Sequence, residues 1–470
     1  IEYGALVLAA QRRRRSMEDL IKMSPADGMI TGVGSINGED FDEEASRAMV
    51  LAYDFTVFAG TQGHMNHKKT DRMLGLAHQW NLPLILFGEG GGGRPGDTDT
   101  AGVAGLDVPT FKSFAALSGN VPVISIVSGR CFAGNAALVG CSDVIIATAD
   151  SNIGMGGPAM IEGGGLGAYK PEDIGPIDVH KKNGVVDIAV ADEAEGVAAA
   201  KKYLSYFQGP LKTWEAADQR ELRHLIPENR LRAYDVRTVI DTVADKDSVL
   251  ELRKDFGVGI LTCFIRIEGR PMGLIANNPF HLGGAIDADA ADKAARFMQL
   301  CDAFGLPILS FCDTPGFMVG PEVEETAQVR HVSRMFVIAA NMSVPVFAIV
   351  LRKGYGLGAQ AMTGGTFHAP FFNVAWPTGE FGGMGLEGAV RLGYRREMEA
   401  IEDEAERQEF FEKMVASSYA RGKAINMASF LEIDGVIDPL ETRHWIMRGL
   451  KSLPPSSQDT TPKRPFIDTW

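Results

Sequence analysis

The 470-residue sequence predicts an α/β protein made of two similar domains, and three observations carry that expectation. A long-period internal repeat runs through the chain. Short apolar, β-branched segments alternate with stretches of helical periodicity, the pattern of folds that lay helices on parallel sheets. Hydrophobic residues make up 45% of the chain and charged residues 23%, enough for a large core, while the length exceeds what one core usually serves.

The repeat comes first because it sets the architecture. Leu82-Pro83-Leu84-Ile85-Leu86 leads into a glycine-rich turn, Gly88 to Arg94, and Leu306-Pro307-Ile308-Leu309 leads into Asp313-Thr314-Pro315-Gly316. Val121–Val127 precedes the small-residue run Cys131–Ala136, and Val344–Val350 precedes Gly354–Ala359. Gly156-Gly157 followed by Glu162 matches Gly382-Gly383 followed by Glu387. The three pairs keep their order at offsets of 224, 223 and, between the two glutamates, 225 residues, which predicts domains over 1–215 and 250–470. The connecting segment lies over 216–249, and the stretch Gln208–Arg237 is charged and broken by Pro210 and Pro227, so it is expected to cross the surface.

Helical spacing is clearest over Glu324–Asn341, where Val329, Val332, Phe336, Val337 and Ala340 recur at three- and four-residue steps. Asp289–Asp302 places Ala291, Ala294, Ala295, Met298 and Cys301 on one side. Both stripes are expected to face the core. The tail Pro454–Trp470, rich in Pro, Ser and Thr, is expected to be extended and docked on a neighbour, or disordered.

The composition also excludes function classes. A formal charge of −14 argues against nucleic acid or an anionic membrane as the main partner. No run reaches the roughly 18 apolar residues of a membrane span. Five cysteines without a Cys-x-x-Cys pair suit reduced intracellular thiols. His64 and His67 lack grouped partners and are expected to pack rather than bind metal. The expected compartment is the cytoplasm, or the mitochondrial matrix if a targeting segment precedes Ile1.

Each half repeats one device, a buried strand followed by a small-residue turn that opens a helix. The first amides of a helix have no internal partner, and the macrodipole adds about half a positive charge there. A single such turn serves close packing as readily as chemistry. Two copies in matching positions favour paired oxyanion holes, with backbone donors at Ala133 and Gly134 in one half and at Gly356, Leu357 and Gly358 in the other. No Gly-x-Ser-x-Gly elbow, His-Glu-x-x-His, phosphate loop ending in Gly-Lys-Ser/Thr or placed dinucleotide fingerprint competes for the chemistry. Arg94, Arg130 and Lys353 are candidates for anionic substrate groups, since phosphate prefers guanidinium and ammonium.

Asp313-Thr314-Pro315-Gly316-Phe317, Arg352-Lys353-Gly354-Tyr355-Gly356, Trp376-Pro377-Thr378 and Ile437–Arg443 resemble the carboxyltransferase subunits of propionyl-CoA, acetyl-CoA and long-chain acyl-CoA carboxylases. Tyr234–Arg237, Glu268–Pro271 and Ala276-Asn277 extend the likeness from about Gly28 to Leu450. The resemblance implies two crotonase-like (ββα superhelix) domains arising from an internal duplication. It also implies a hexamer, a trimer of dimers, whose sites form between the first domain of one subunit and the second domain of its partner. The implied reaction moves a carboxyl group from carboxybiotin to the α-carbon of an acyl-CoA.

Amides near Ala133 and Gly134 would hold the thioester oxygen, and those near Leu357 and Gly358 the ureido oxygen of biotin. Gly156, Gly157, Gly356 and Gly383 would line the substrate site, and Gln360 lies where relatives choose acyl-chain length. Biotin would arrive on a separate carrier domain charged by a biotin carboxylase component, with coenzyme A as part of the substrate. The chain departs from the family pattern at both turns: Ala133-Gly134-Asn135 and Gly356-Leu357-Gly358 each replace Gly-Gly-Ala.

Three alternatives stand beside this reading. One is a biotin-dependent carboxyacyl-CoA decarboxylase subunit. Another is a hydratase or hydrolase using Glu162 or Glu387 as a base. The third is a non-catalytic scaffold subunit, motivated by Asn135 and Leu357.

Overall fold

A computed structural model describes residues 1–100, 102, 104–453 and 465–470. Residues 454–464, most of the tail expected to be extended or disordered, lie outside the described residues. The chain divides into two compact units. The first holds Ile1–Pro210, Arg253–Asp255 and the segment 465–470, and the second holds Leu211–Leu252 and residues 256–453.

The first unit contains β1 (Met29–Ser35), β2 (Arg47–Tyr53), β3 (Leu84–Phe87), β4 (Val123–Val127), β5 (Arg130–Phe132), β6 (Val144–Thr148), β7 (Asn152–Gly154) and β8 (Ile188–Val190). Six of them form a sheet in the order β1-β2-β3-β4-β6-β8, while β5 pairs with β7 apart from it. Only β1 and β2 are antiparallel; every other neighbour in the sheet is parallel. Val123–Val127 and Val144–Thr148 are buried throughout, which is why they read as unbroken apolar runs rather than alternating ones. Helices α1 (His64–Trp80), α2 (Gly134–Gly140) and α3 (Glu193–Ser205) belong to this unit.

The second unit contains β9 (Leu250–Leu252), β10 (Ile260–Ile267), β11 (Arg270–Asn277), β12 (Ile308–Thr314), β13 (Val346–Tyr355), β14 (Phe372–Ala375), β15 (Glu380–Gly382) and β16 (Gly435–Val436). The order is β16-β14-β13-β12-β11-β10-β9, with β15 beside the end of β13. From β10 onward this sheet corresponds strand for strand to the first, an antiparallel pair followed by four parallel strands. Its helices include α4 (Ala288–Ala303), α5 (Gln328–Asn341), α6 (Gly356–Met362), α7 (Leu386–Gly393) and α8 (Glu404–Arg421).

α4 starts on Asp287, whose side chain accepts the Ala290 amide, and it buries Ala291, Ala294, Ala295, Met298 and Cys301 as expected. It also buries Asp292, which no apolar stripe predicts. The charge is tolerated because His331 Nδ1 (2.6 Å) and Arg334 Nη1 (2.7 Å) of α5 meet its carboxylate. This contact turns α5 away from the expected face: Val332 and Met335 are buried, whereas Val329 and Val337 are both 61% exposed. The segment expected to cross the surface, Gln208–Arg237, instead contributes Leu222, Ile226, Tyr234 and Val236 to the second core, and the helix Val236–Val243 continues it with Val239, Ile240 and Val243.

The end of the chain is docked on the first unit. Ile467 is buried, its amide donates to Ser118 Oγ (2.9 Å), and that hydroxyl donates back to the Ile467 carbonyl (3.1 Å). A side chain at Gly119, where φ is +70°, would meet the Pro465 carbonyl carbon at 2.8 Å. All five cysteines are free thiols, and four are buried. Among the described residues no helix is long and apolar enough to cross a membrane.

Candidate functional site

In the first unit β4 ends at Val127, and β5 carries the chain to Ala133, which caps α2 with φ +52° and ψ −119°. That conformation suits glycine and strains alanine. The Ala133 amide is not free, contrary to the expectation for an oxyanion donor: it donates to the Gly154 carbonyl at 2.9 Å, fixing the two-stranded β5–β7 pair to the head of the helix. That leaves Gly134, in the first turn of α2, as the candidate donor at this turn. A Cβ at Gly134 would lie 2.0 Å from Gln62 Oε1, so any side chain there would displace the Gln62 amide. Gln62 is itself buried and held by Tyr53, whose hydroxyl accepts from Gln62 Nε2 at 2.9 Å.

Asn135, the residue that departs from the family turn, is fully buried and points away from the helix head. Its Oδ1 accepts the Gly92 amide at 3.0 Å, and its Nδ2 faces the carbonyls of Gly60 and Glu89, each at 3.4 Å. The glycine-rich turn is thus tied to α2, and two of its glycines, Gly90 and Gly92, are needed for close contact. A Cβ at Gly90 would meet Asn135 Nδ2 and the Gly60 carbonyl at 2.3 Å, and one at Gly92 would meet the Ala133 Cβ at 2.6 Å. Glu89 braces the same turn by accepting the Ser128 amide, and burial pushes its carboxyl up to about 6.

Arg94 does not present its guanidinium to an anionic substrate. Its side chain is 3% exposed, pairs with the fully buried Asp27 and donates to the Thr61 carbonyl at 2.8 Å. Arg130 does stand in solvent, paired with Glu172 at 2.7 Å. Gly156 and Gly157 pack near Met160 and Phe132, in the turn before the short helix Pro158–Gly163. A cavity of about 960 Å³ opens beside the end of the glycine-rich turn, with Gly93, Gly96, Gln62, His64 and His67 on its walls. His67 accepts from or donates to Thr110 Oγ1 at 2.9 Å and packs edge-on against Phe111, a packing role as expected.

In the second unit β13 runs directly into α6. Gly356 has φ +58°, and Gly358 packs so tightly on the Asp313–Gly316 turn that a Cβ would lie 2.7 Å from Gly316 Cα. Leu357 is 61% exposed, its side chain turned out to solvent. A Cβ at Gly356 would meet the Gly383 carbonyl at 2.9 Å, so these two predicted residues are neighbours. Both line a cavity of about 650 Å³ together with Gln360.

The signature residues around this turn hold it from behind. Asp313 sits where the β12–β13 register shifts. Its Oδ1 accepts the Lys353 amide (3.1 Å), and its carboxylate lies 3.1 Å from Arg352 Nη2 and 3.3 Å from Lys353 Nζ. Lys353 is drawn inward, donating also to the Gly283 carbonyl at 2.7 Å, and does not reach for substrate phosphate. Arg443 is likewise internal, paired with Asp245 at 2.7 Å, and Trp376 Nε1 donates to Thr442 at 3.0 Å. Tyr355 donates to Glu380 at 2.8 Å, and burial raises the carboxyl of Glu380. Glu387, the base a hydratase would need, is engaged by Arg230 (3.1 Å) and by the Tyr419 hydroxyl (2.9 Å). Sequence reading missed Gln62 and the bracing role of Asp313; the Asp-Thr-Pro-Gly and Arg-Lys-Gly-Tyr motifs were the available signal for the latter.

The family model of the carboxyl transferase domain matches residues 5–466. A propionyl-CoA carboxylase beta chain of Cereibacter sphaeroides is 31% identical over 442 residues, 91% of this chain and 83% of that protein. A structure of a single-chain, multi-domain long-chain acyl-CoA carboxylase superposes with a TM-score of 0.90 at 61% identity. That match covers 95% of this chain, which spans only 44% of the length of the multi-domain protein. The crystal structure of the transcarboxylase 12S hexamer with methylmalonyl-CoA superposes with a TM-score of 0.82 at 28% identity, covering 99% of this chain and 89% of that one.

Proposed function

The chain belongs to the carboxyl transferase domain family, and from that premise we propose that it transfers a carboxyl group from carboxybiotin to the α-carbon of an acyl-CoA. The observation that carries the reading is the matched strand–turn–helix of each unit, with Gly134 packed on the Gln62 amide and Gly358 on the Gly316 backbone. Two such turns offer first-turn amides to two oxygens that gain negative charge in the same reaction. No side-chain base is required of the protein, which agrees with Glu387 being held by Arg230 and Tyr419.

Gly134 would hold the thioester oxygen as the α-carbon becomes carbanionic, and Leu357 with Gly358 would hold the ureido oxygen of biotin. Each preorganised donor is worth on the order of 3 kcal/mol of transition-state stabilisation. The residues at α6 fit a biotin ring: Gly356 and Gly383 offer no side chain, and a Cβ at Gly383 would meet no atom within 4 Å. When bound, carboxybiotin supplies the carboxyl group and then a nitrogen that accepts the α-proton. Asp313, through Arg352 and Lys353, keeps the end of β13 in register so that α6 begins in the right place.

The partners in this reading are a biotin carboxyl carrier domain and a biotin carboxylase component, in a hexameric assembly working in the cytoplasm. The test is incubation of the purified chain with malonyl-CoA, methylmalonyl-CoA or a longer carboxyacyl-CoA and free biotin. Biotin-dependent decarboxylation is the expected result. Absence of turnover with confirmed CoA binding would favour the scaffold reading.

A further inference from the structure

We propose that the side chain of Gln62 accepts the amide N–H of the cysteamine arm of coenzyme A, an inference that rests on the carboxyl-transfer reading and adds a substrate-positioning residue to it. Gln62 is 4% exposed, yet it forms part of the wall of the cavity of about 960 Å³ beside the glycine-rich turn. Its backbone is fixed on both sides. The Gln62 amide donates to the Gly92 carbonyl at 2.7 Å, and the Gln62 carbonyl accepts the Arg94 amide at 2.8 Å. Its side chain is fixed by Tyr53, a buried phenol whose hydroxyl accepts from Nε2 at 2.9 Å.

With Nε2 committed, Oε1 is turned onto Gly134, 2.0 Å from where a Cβ would stand and on the same side as Phe111 Cζ, 3.4 Å from that point. Among the described residues no group donates to this oxygen. A buried acceptor left without a donor is unfavourable, and this one stands beside the turn read as the thioester site. The chemistry of the substrate selects its partner. Around the reacting carbon a carboxyacyl thioester offers acceptors alone: the carboxylate, the thioester oxygen and the sulfur. Oε1 would repel all of them. The nearest N–H is that of the cysteamine amide, two carbons beyond the sulfur, close enough for one ligand to meet Gly134 and Oε1 together. Held at both points, the arm loses rotation about the thioester, and the α-carbon is presented in one orientation.

The experiment compares malonyl-CoA with an analogue carrying an ester oxygen in place of the cysteamine N–H, each decarboxylated by the full chain with free biotin. In the parent, kcat/KM for the ester analogue is expected to be about tenfold lower, chiefly through KM. Gln62→Met fills the same space without an acceptor, and its preference between the two substrates should fall to about twofold or less. Gln62→Glu keeps an acceptor oxygen and should retain the tenfold preference.

A parent that turns over both substrates equally overturns the proposal, whatever becomes of the variants. So does a Gln62→Met variant that loses activity alike on both and keeps the preference, which would make Gln62 a structural brace. Loss of the preference in Gln62→Glu, with kcat lowered on both substrates, overturns it too, because Nε2 rather than Oε1 would then face the site. If no carboxyacyl-CoA is turned over, the carboxyl-transfer reading fails separately. Calorimetric affinities of the parent for acetyl-CoA and for its ester analogue then decide the role of Gln62, and equal affinities overturn it.

Discussion

Asn135 Oδ1 accepts the Gly92 amide at 3.0 Å, binding the glycine-rich turn to the helix whose first amides form the proposed thioester site. Asn135→Ala restores the family residue but leaves Gly92 N–H without its acceptor in a buried setting. The expected cost is about 1–3 kcal/mol of stability. KM for acyl-CoA should rise while KM for free biotin stays put. Urea unfolding and steady-state kinetics measure the two effects, and equal shifts in both KM values would count against the assignment of the first unit to acyl-CoA.

Ala133 holds φ +52°. Ala133→Gly removes strain on the order of 1–3 kcal/mol, offset by about 0.5–1 kcal/mol of extra chain entropy in the unfolded state. A rise in Tm is expected. Unchanged or lower Tm would mean that the Ala133 methyl contributes packing that outweighs the strain.

Gly358→Ala drives a methyl group into Gly316. The first turn of α6 must move, and kcat for biotin-dependent turnover should fall by about 100-fold, the scale of losing one oxyanion donor. Acyl-CoA affinity, measured by calorimetry, should not change. A variant with normal kcat would remove α6 from the chemistry.

Arg94→Ala and Arg130→Ala separate a structural arginine from a surface one. The first leaves Asp27 buried without its cation and should cost about 3–5 kcal/mol. The second breaks an exposed pair and should change stability by less than about 0.5 kcal/mol. If Arg130 meets the CoA phosphates, its loss raises KM for acyl-CoA at low salt, and the effect fades as salt rises.

Burial lifts the Glu89 carboxyl to about 6 from its ordinary 4.5. Below pH 4.5 the group is neutral in the folded and unfolded chain alike. Between 4.5 and 6 the folded chain keeps a proton that the unfolded chain releases, so stability is lost as pH rises through this window. Above it the charged form persists at a cost of about 2 kcal/mol. Glu89→Gln keeps an acceptor for the Ser128 amide, so Tm should rise at pH 7.5 and stay level at pH 4.5. A gain of equal size at both pH values would mean that charge is not the cause.

Much of the fold was legible because parallel strands buried on both faces leave unbroken runs such as Val123–Val127, and because the same succession recurs beyond residue 300. The small-residue turns were legible for the same reason. The register of the donors was not. The Ala133 amide is taken by Gly154, and no local pattern reveals a bond made through a separate pair of strands. Arg94 and Lys353 read as ligands for phosphate because cations near glycines suggest anions. Their buried partners, Asp27 and Asp313, lie 67 and 40 residues away. Val329 and Val337 have the right spacing, but the ion pairs of Asp292 with His331 and Arg334 fix which side of α5 faces inward.

The return of residues 465–470 to Ser118 and Gly119 has a practical consequence for handling the molecule in pieces. A fragment ending at Pro210 would lack both the last six residues and Arg253, whose Nε donates to the buried Asp187 at 2.9 Å and whose Nη2 donates to the Thr469 carbonyl at 3.4 Å. Residues 1–210 alone are therefore an incomplete first unit. Residues 465–470 are a seated clip on that unit rather than a loose strand.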